Sequence, residues 1–296
     1  MAKIGFIGLG AMGLPMARNL LARGHHVCGH DASPRAIQAW VDAGGAVAPD
    51  LADLVAGADV VITMLPSGPI VLDVFERGIW PYARNGQVFI DCSTSGVPSA
   101  RRLHVAAAER GHSMLDAPVT GGVAGAEAAT LTFMVGGDAK VFESMKDVLS
   151  AMGAKLVYTG GPSTGQAVKV CNNMAAGIIK IAISEAFVLA RKLGVEDQVL
   201  FDVASAGSAQ AFALTRTCPV PGLVASSPSS RDYRNGFATS LMLKDMILAQ
   251  EAAMSAGAPT VLGGAATHLY QLCAGAGLGD LDNGIVYQYL LGQQQG

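Results

Sequence analysis

The sequence predicts a doubly wound α/β sheet followed by an all-α domain, with a long helix joining the two, and three observations carry this. Short apolar runs alternate with amphipathic segments through the first half of the chain. A glycine-rich turn, Gly8-Leu9-Gly10-Ala11-Met12-Gly13, closes the first of those runs. From Thr164 the pattern becomes helical for about 30 residues, roughly 45 Å of helix, and further helices follow. Strands separated by helices imply a parallel sheet. We therefore expect a first domain over 1–162 and a second over 163–296, with 163–193 as the interdomain helix.

Lys3 to Gly8 reads as a strand, and Leu14, Ala17, Leu20 and Leu21 mark one face of a helix that stops at Gly24. Strand, glycine turn and helix are the parts of a Rossmann-type dinucleotide site. Gly8 serves the tight turn, Gly10 the approach of a pyrophosphate, and Gly13 the close packing of the helix. A second strand, His26 to His30, ends in Asp31. That carboxylate follows Gly8 at about the 20-residue offset at which an acid bonds the adenosine ribose. It favours NAD, while Arg35 nearby keeps NADP open.

Val60 to Leu65 is a buried strand broken by Pro66-Ser67-Gly68-Pro69, and Val88 to Asp91 is another, ending in Cys92-Ser93-Thr94-Ser95. Ligands of open parallel sheets sit beyond the carboxyl ends of strands. Leu65, Pro66 and Thr94 are thus candidates for cofactor contact; position alone leaves ordinary strand-ending turns equally open. A helix from Val97 to about Arg110 and a strand at Ser113 to Leu115 lead to Asp116-Ala117-Pro118-Val119-Thr120-Gly121-Gly122-Val123-Ala124-Gly125. A hydroxyl before paired glycines exposes consecutive N–H groups, a nest for a carboxylate. The same composition also suits a flexible connector. Leu131 to Val135 is a further strand, Asp138 caps a helix to Met152, and Lys155 to Tyr158 closes the sheet.

Apolar residues make up 51% and charged residues 15%, so much surface is buried, part of it expected between subunits of a homodimer or homotetramer. A net charge of -3 gives no basic footprint for nucleic acid. The five cysteines, Cys28, Cys92, Cys171, Cys218 and Cys273, lie dozens of residues apart and fit no zinc or disulfide spacing. We expect no metal and a reducing, cytoplasmic location. The apolar start lacks a small-residue cleavage site, and its glycine spacing accounts for it better than a secretory signal does. Met174 to Ala190 is interrupted by Lys180, Ser184 and Glu185, so no membrane span is expected there. The only low-complexity stretch is Gln293-Gln294-Gln295.

Along the long helix Gln166, Lys169, Asn173, Lys180, Ser184 and Arg191 fall in one narrow stripe. Such a stripe can be a wet face. It can also be chemical at Lys169, just past the junction where a cleft between domains would open. A lysine withdrawn from water there would have its neutral amine favoured, which suits a proton carrier. Later helices are expected from Glu196 to Ala204, Ala209 to Leu214, Phe237 to Ala256, Thr260 to Ala274 and Gly284 to Leu291. Lys244, in the middle of one, reads by itself as a solvated lysine.

Taken together the motifs resemble the 3-hydroxyacid dehydrogenase family along nearly the whole chain. Its opening appears as Phe6-Ile7-Gly8-Leu9-Gly10-Ala11-Met12-Gly13-Leu14-Pro15-Met16-Ala17-Arg18-Asn19-Leu20, and its substrate signature as Asp116-Ala117-Pro118-Val119-Thr120-Gly121-Gly122. Its catalytic signature appears as Gly165-Gln166-Ala167-Val168-Lys169-Val170-Cys171-Asn172-Asn173, and a fourth as Phe237-Ala238-Thr239-Ser240-Leu241-Met242-Leu243-Lys244-Asp245. The resemblance implies a Rossmann domain, a long interdomain helix and an all-helical domain that supports oligomerisation. It implies that Lys169 exchanges the proton of the substrate hydroxyl while Asn173 hydrogen-bonds the substrate. Thr120, Gly121 and Gly122 fall on the carboxylate-binding turn. Gly8, Gly10, Ala11, Met12, Gly13, Asp31, Leu65, Pro66, Thr94 and Lys244 fall on positions that contact the cofactor.

The chain departs from the family at several places. Thr120 replaces a usual Ser, Ala129 a Gly and Phe212 a Trp. Thr217-Cys218 replaces Tyr-Asn, and Leu281-Asp282-Asn283-Gly284 replaces Lys-Asp-Phe-Ser. These changes alter the pocket rim and spare the chemistry. The expectation is an NAD-dependent oxidoreductase that converts a small 3-hydroxy acid of the 3-hydroxyisobutyrate type to its semialdehyde. The alternatives are an NADPH-dependent reductase of tartronate, glyoxylate or succinic semialdehyde, and an inactive cofactor-binding sensor. Imine reductases share the fold but replace the lysine, so Lys169 argues against them.

Overall fold

The computed structural model describes residues 1–292, which form two compact units divided after Lys169. The glutamine run Gln293-Gln294-Gln295 lies outside the described residues. In the first unit one nine-stranded sheet contains β1 (Lys3–Ile7), β2 (His26–His30), β3 (Ala46–Val47), β4 (Val60–Thr63) and β5 (Val88–Asp91). It continues through β6 (Ser113–Asp116), β7 (Val119–Thr120), β8 (Leu131–Gly137) and β9 (Gly153–Gly160). The connecting helices are α1 (Gly13–Ala22), α2 (Pro34–Asp42), α3 (Leu51–Gly57), α4 (Gly68–Val74), α5 (Val97–Glu109), α6 (Gly122–Glu127) and α7 (Ala139–Ser150).

Strand order runs β3-β2-β1-β4-β5-β6 with every pair parallel. The order reverses at β1 and β4, so the turns after these two strands border the crevice where doubly wound sheets take ligands. Alternation along the strands explains why both faces are covered. Ile4, Phe6, Ile62, Ile90 and Leu115 enter one core with Met16 and Leu20 of α1. Their neighbours Ile7, Val61, Phe89 and Met114 enter the other, with Leu54 of α3, Val71 of α4 and Leu103 of α5.

The parallel arrangement expected from the sequence stops at β6. Strand β8 is antiparallel to β6 and to β7, and β9 then pairs with β8 in parallel. The chain turns back at Gly121, with φ of +132°. Helix α6 rises only about 9 Å, too little to carry the chain across the sheet. After α6, Ala129 takes a φ of +54°, the left-handed region that a methyl side chain disfavours.

Helix α8 (Thr164–Lys192) crosses the division after Lys169. The second unit adds α9 (Asp197–Ala206), α10 (Phe212–Thr215), α11 (Thr239–Ala256), α12 (Val261–Cys273) and α13 (Val286–Leu291). Ile181 of α8 packs with Met242 and Met246 of α11 and with Ala266 and Tyr270 of α12. Ile183 and Phe187 pack with Ala213, Leu214, Val220 and Tyr287. Where the sequence placed a helix over Ala209 to Leu214, the helix begins only at Phe212.

Replacing Ala129 by Gly removes the strained methyl at the cost of some unfolded-state entropy. The variant is expected to gain about 0.5–1 kcal/mol. Urea unfolding monitored by circular dichroism measures it, and a loss of stability would show that the strain is not relieved there.

Candidate functional site

The glycine turn after β1 is built for close approach. Gly8 has φ +98° and donates its N–H to the His30 carbonyl at 2.9 Å. A Cβ on Gly13 would lie 1.8 Å from the Gly8 carbonyl oxygen, whereas one on Gly10 would meet nothing within 4 Å. The open side at Gly10 suits a pyrophosphate laid against the backbone, and Ala11 and Met12 follow it into α1. Asp31, at the end of β2, is oriented by its neighbours: Oδ2 accepts the Leu9 N–H at 2.6 Å and Oδ1 accepts the Ser33 N–H at 2.8 Å. Glycine turn and acid are thus joined by a hydrogen bond, with the carboxylate partly exposed. These residues fit a dinucleotide.

The turns after β4 and β5 are held by a group the sequence reading passed over. Asp91 is fully buried, and its carboxylate accepts from Thr63 Oγ1 at 2.8 Å, Ser95 Oγ at 2.8 Å and the Ser93 N–H at 3.1 Å. Burial raises its pKa, and the hydrogen bonds from Ser93, Ser95 and Thr63 oppose that rise. Ser93 Oγ in turn accepts the Leu65 N–H at 2.8 Å. The turn carrying Leu65 and Pro66 is therefore tied to the one carrying Thr94. A concavity of about 480 Å³ lined by Ile4, His26, Cys28 and Leu54 lies elsewhere and is walled mostly by carbon.

Lys169 lies near the start of α8, and its placement follows from Asp116 at the end of β6. The fully buried Asp116 carboxylate accepts the Ser163 N–H at 2.9 Å, the Gln166 N–H at 2.8 Å and His104 Nε2 at 2.8 Å. Gln166 Nε2 donates to the Ser93 carbonyl at 2.7 Å, and its Oε1 accepts the Gly96 N–H at 3.1 Å. One turn on, Lys169 is 7% exposed and Nζ donates to the Val119 carbonyl at 2.7 Å. That carbonyl immediately precedes Thr120, Gly121 and Gly122, so an amine stands beside the turn with paired glycines. Gly121 and Gly122 are exposed, with φ of +132° and +65°.

In the second unit Asn173 is buried, its Nδ2 donating to Asp245 Oδ2 at 2.5 Å and its Oδ1 accepting from Asn172 Nδ2 at 3.1 Å. Lys244 Nζ stands 3.3 Å from Asp245 Oδ1, close enough for charge attraction but off the direction of a hydrogen bond. The lysine that read as solvated is 30% exposed in its side chain and paired. Asp245, which the sequence reading gave no role, connects Asn173 to Lys244.

The wet-face reading of the α8 stripe is overturned for most of its length. Gln166, Lys169, Asn173, Lys180 and Ser184 are all buried, and only Arg191 is exposed, paired with Asp197. It is the other side of α8, with Ala175, Ile179, Ala182, Ala186 and Leu189, that is exposed. The helix has the length and hydropathy of a membrane span, yet Lys180, Ile181, Ser184 and Phe187 are buried within the second unit. Among the described residues no cluster of metal-ligating side chains forms.

Similarity to known proteins extends over both units. Residues 3–160 match the family model described as the NAD binding domain of 6-phosphogluconate dehydrogenase. Residues 163–290 match the model for the NAD-binding of NADP-dependent 3-hydroxyisobutyrate dehydrogenase. A probable 3-hydroxyisobutyrate dehydrogenase of Mycobacterium tuberculosis is 46% identical, with 95% of each chain covered. The NAD-dependent L-serine dehydrogenase of Pseudomonas aeruginosa is 42% identical, with 100% of each covered. A solved structure of the Mycobacterium tuberculosis 3-hydroxyisobutyrate dehydrogenase with L-serine superposes with a TM-score of 0.94, covering 98% of this chain and 99% of that one. With the glycine turn and Asp31 shaped for a dinucleotide and both units matched, the chain belongs to the 3-hydroxyisobutyrate dehydrogenase family of NAD-dependent oxidoreductases.

Proposed function

We propose that the protein oxidises a small 3-hydroxy acid to its semialdehyde, with Lys169 as the proton carrier. The observation that carries this is the buried Lys169 amine at 2.7 Å from the Val119 carbonyl, beside the Thr120-Gly121-Gly122 turn. Bound NAD supplies the hydride acceptor. The Thr120 hydroxyl and the N–H groups of Gly121 and Gly122 hold the substrate carboxylate. Asn173 has two amide donors, and with one given to Asp245 the other meets a substrate oxygen. As the carbinol carbon loses hydride, the hydroxyl proton passes to the Lys169 amine, and in the reverse direction the ammonium returns it. Such proton transfer contributes about 10²–10⁴-fold, with positioning supplying more.

Cofactor contact is assigned to the glycine turn, Asp31, Leu65, Pro66, Thr94 and Lys244. Asp31 supports NAD over NADP, because a carboxylate bonds a free ribose hydroxyl and repels a phosphate. The chain divides into a dinucleotide-binding domain over 1–162 and a helical domain for substrate and assembly over 163–296, bounds that the two matching family models, 3–160 and 163–290, support; Thr120, Gly121 and Gly122 lend the first domain to the substrate and Lys244 lends the second to the cofactor. We also propose a homo-oligomer. In the second unit Ala175, Ile179, Ala182, Ala186 and Leu189 recur every three or four residues on the exposed side of α8, with Leu189 60% exposed. A cytoplasmic location is supported by five cysteines that are all free thiols.

Purified protein with NAD or NADP and a panel of hydroxy acids should form reduced nicotinamide, read by absorbance; no turnover with any of 3-hydroxyisobutyrate, 3-hydroxypropionate, glycerate, L-serine or threonate would sink the reading. Lys169→Ala is expected to lose at least about 10²-fold in kcat while NAD affinity, followed by nicotinamide-quenched fluorescence, stays near the parent value. Asp31→Ala should move the kcat/KM ratio toward NADP by about tenfold, and an unmoved ratio would take cofactor choice away from that residue. Leu189→Glu should lower the mass found by light scattering to a smaller species, provided the variant keeps its helical circular dichroism.

A further inference from the structure

Gln166 is fully buried, and the chemistry assigned above does not use it. Its backbone N–H is one of the two from the start of α8 that Asp116 accepts, at 2.8 Å. Its side-chain amide bridges the turn after β5, donating from Nε2 to the Ser93 carbonyl at 2.7 Å and accepting the Gly96 N–H on Oε1 at 3.1 Å. Only this orientation of the amide satisfies both groups. A carbonyl and the N–H three residues on are the pair that closes a β-turn. Here the amide stands between them, so the turn Ser93-Thr94-Ser95-Gly96 is held open by a side chain from another element.

What the open turn offers is Thr94. Ser93, Ser95 and Gly96 are buried, and Thr94 is partly exposed among them. Asp91 holds the same turn from the strand side, through the Ser93 N–H at 3.1 Å and Ser95 Oγ at 2.8 Å. One helical turn beyond Gln166, Lys169 donates from Nζ to the Val119 carbonyl at 2.7 Å. All of these residues lie in the first unit. One side chain therefore joins the turn assigned to the cofactor to the stretch of helix that carries the amine.

We propose that Gln166 is a positioning residue that couples cofactor binding to the proton carrier: it presents Thr94 to bound NAD, and the same amide steadies the start of α8 that places Lys169. This rests on the dehydrogenase reading, with Thr94 as a cofactor contact and Lys169 as the proton carrier. Without the amide, the buried Ser93 carbonyl and Gly96 N–H are unpaired, and closing on each other is the way to satisfy both. The turn then shuts, Thr94 leaves its place, and α8 loses its side-chain tie to the end of β5. Coupling of this kind is reciprocal, so NAD held at Thr94 also favours the helix position that presents the amine.

The test is a double-mutant cycle on NAD affinity, read by nicotinamide-quenched fluorescence, together with kcat at saturating NAD and the most active hydroxy acid of the panel above. In the parent, Thr94→Ala should weaken NAD by about fivefold. Gln166→Leu should weaken NAD by about as much and lower kcat by about tenfold. In that background Thr94→Ala should cost less than about twofold. A staple that merely supports the fold would leave the Thr94→Ala effect at its full size in either background. Gln166→Met, unbranched and of similar length but without the amide, carries the same readout should the leucine variant not fold by circular dichroism. Additive effects of the two changes overturn the proposal, as does a parent-like kcat in a folded Gln166 variant. Parent-like NAD affinity in Thr94→Ala removes Thr94 as a cofactor contact, and the proposal with it. A parent that turns over no hydroxy acid removes the dehydrogenase reading itself.

Discussion

The hydrogen bonds that the Asp116 carboxylate accepts from the start of α8 are the constraint on which the arrangement of the first unit's site depends. A helix begins with N–H groups that its own turns cannot satisfy, and its dipole favours negative charge there. Asp116 answers both, taking the Ser163 and Gln166 N–H groups while His104 completes its shell. This fixes the first turn of α8 to the end of β6. The fit is tight: a Cβ on Gly165 would come within 2.4 Å of the Met134 carbonyl oxygen and 2.9 Å of Asp116 Oδ2. With that turn fixed, Lys169 donates its amine to the Val119 carbonyl on the strand that carries Thr120. Asp91 does the same at the neighbouring strand ends, through hydroxyls and N–H groups. Two buried acids thus set the loops, and neither touches the dinucleotide turn.

The second unit depends on a different economy. Its stretch of α8 buries an amide, an ammonium and a hydroxyl along one side while leaving alanines, Ile179 and Leu189 exposed. Burying polar groups is costly unless they find partners. Each does: Asn173 has Asp245, Lys180 has Thr217, and the Ser184 hydroxyl bonds back to the Lys180 carbonyl at 2.8 Å. The inward side is mixed, with Ile181, Ile183 and Phe187 packed beside these polar groups, and the outward side carries apolar residues together with Glu185. An outward row of apolar residues is the surface that the proposed homo-oligomer would cover.

Much of this was legible in the residues themselves. The glycine turn, Asp31 and the alternation of Ile4, Phe6, Ile62 and Ile90 with their neighbours are local signals, governed by backbone sterics and the period of a strand, so they needed no tertiary knowledge. Lys169, Asn173, Thr120 and Lys244 were singled out through motifs in register, and their roles are those proposed above. The reversal of β8 was not legible, because its direction depends on how far the six-residue α6 can carry the chain.

The sequence by itself determined the change from alternating strands and helices to helices alone, the dinucleotide turn and the residue types available for proton transfer, since these follow from local spacing; α2, β3, α3 and α4 emerged only in the structure. Only the tertiary structure decided which side of α8 is buried and what Asp91, Asp116 and Asp245 hold. The physical reason is that a helix periodicity separates two faces without saying which is inside. An acid's role, likewise, is set by the donors that packing brings to it. Polar residues alone left the stripe from Gln166 to Ser184 open between a face for water and a face for chemistry at Lys169. It is buried because Asp116, Val119, Thr217 and Asp245 supply the partners that water would otherwise provide.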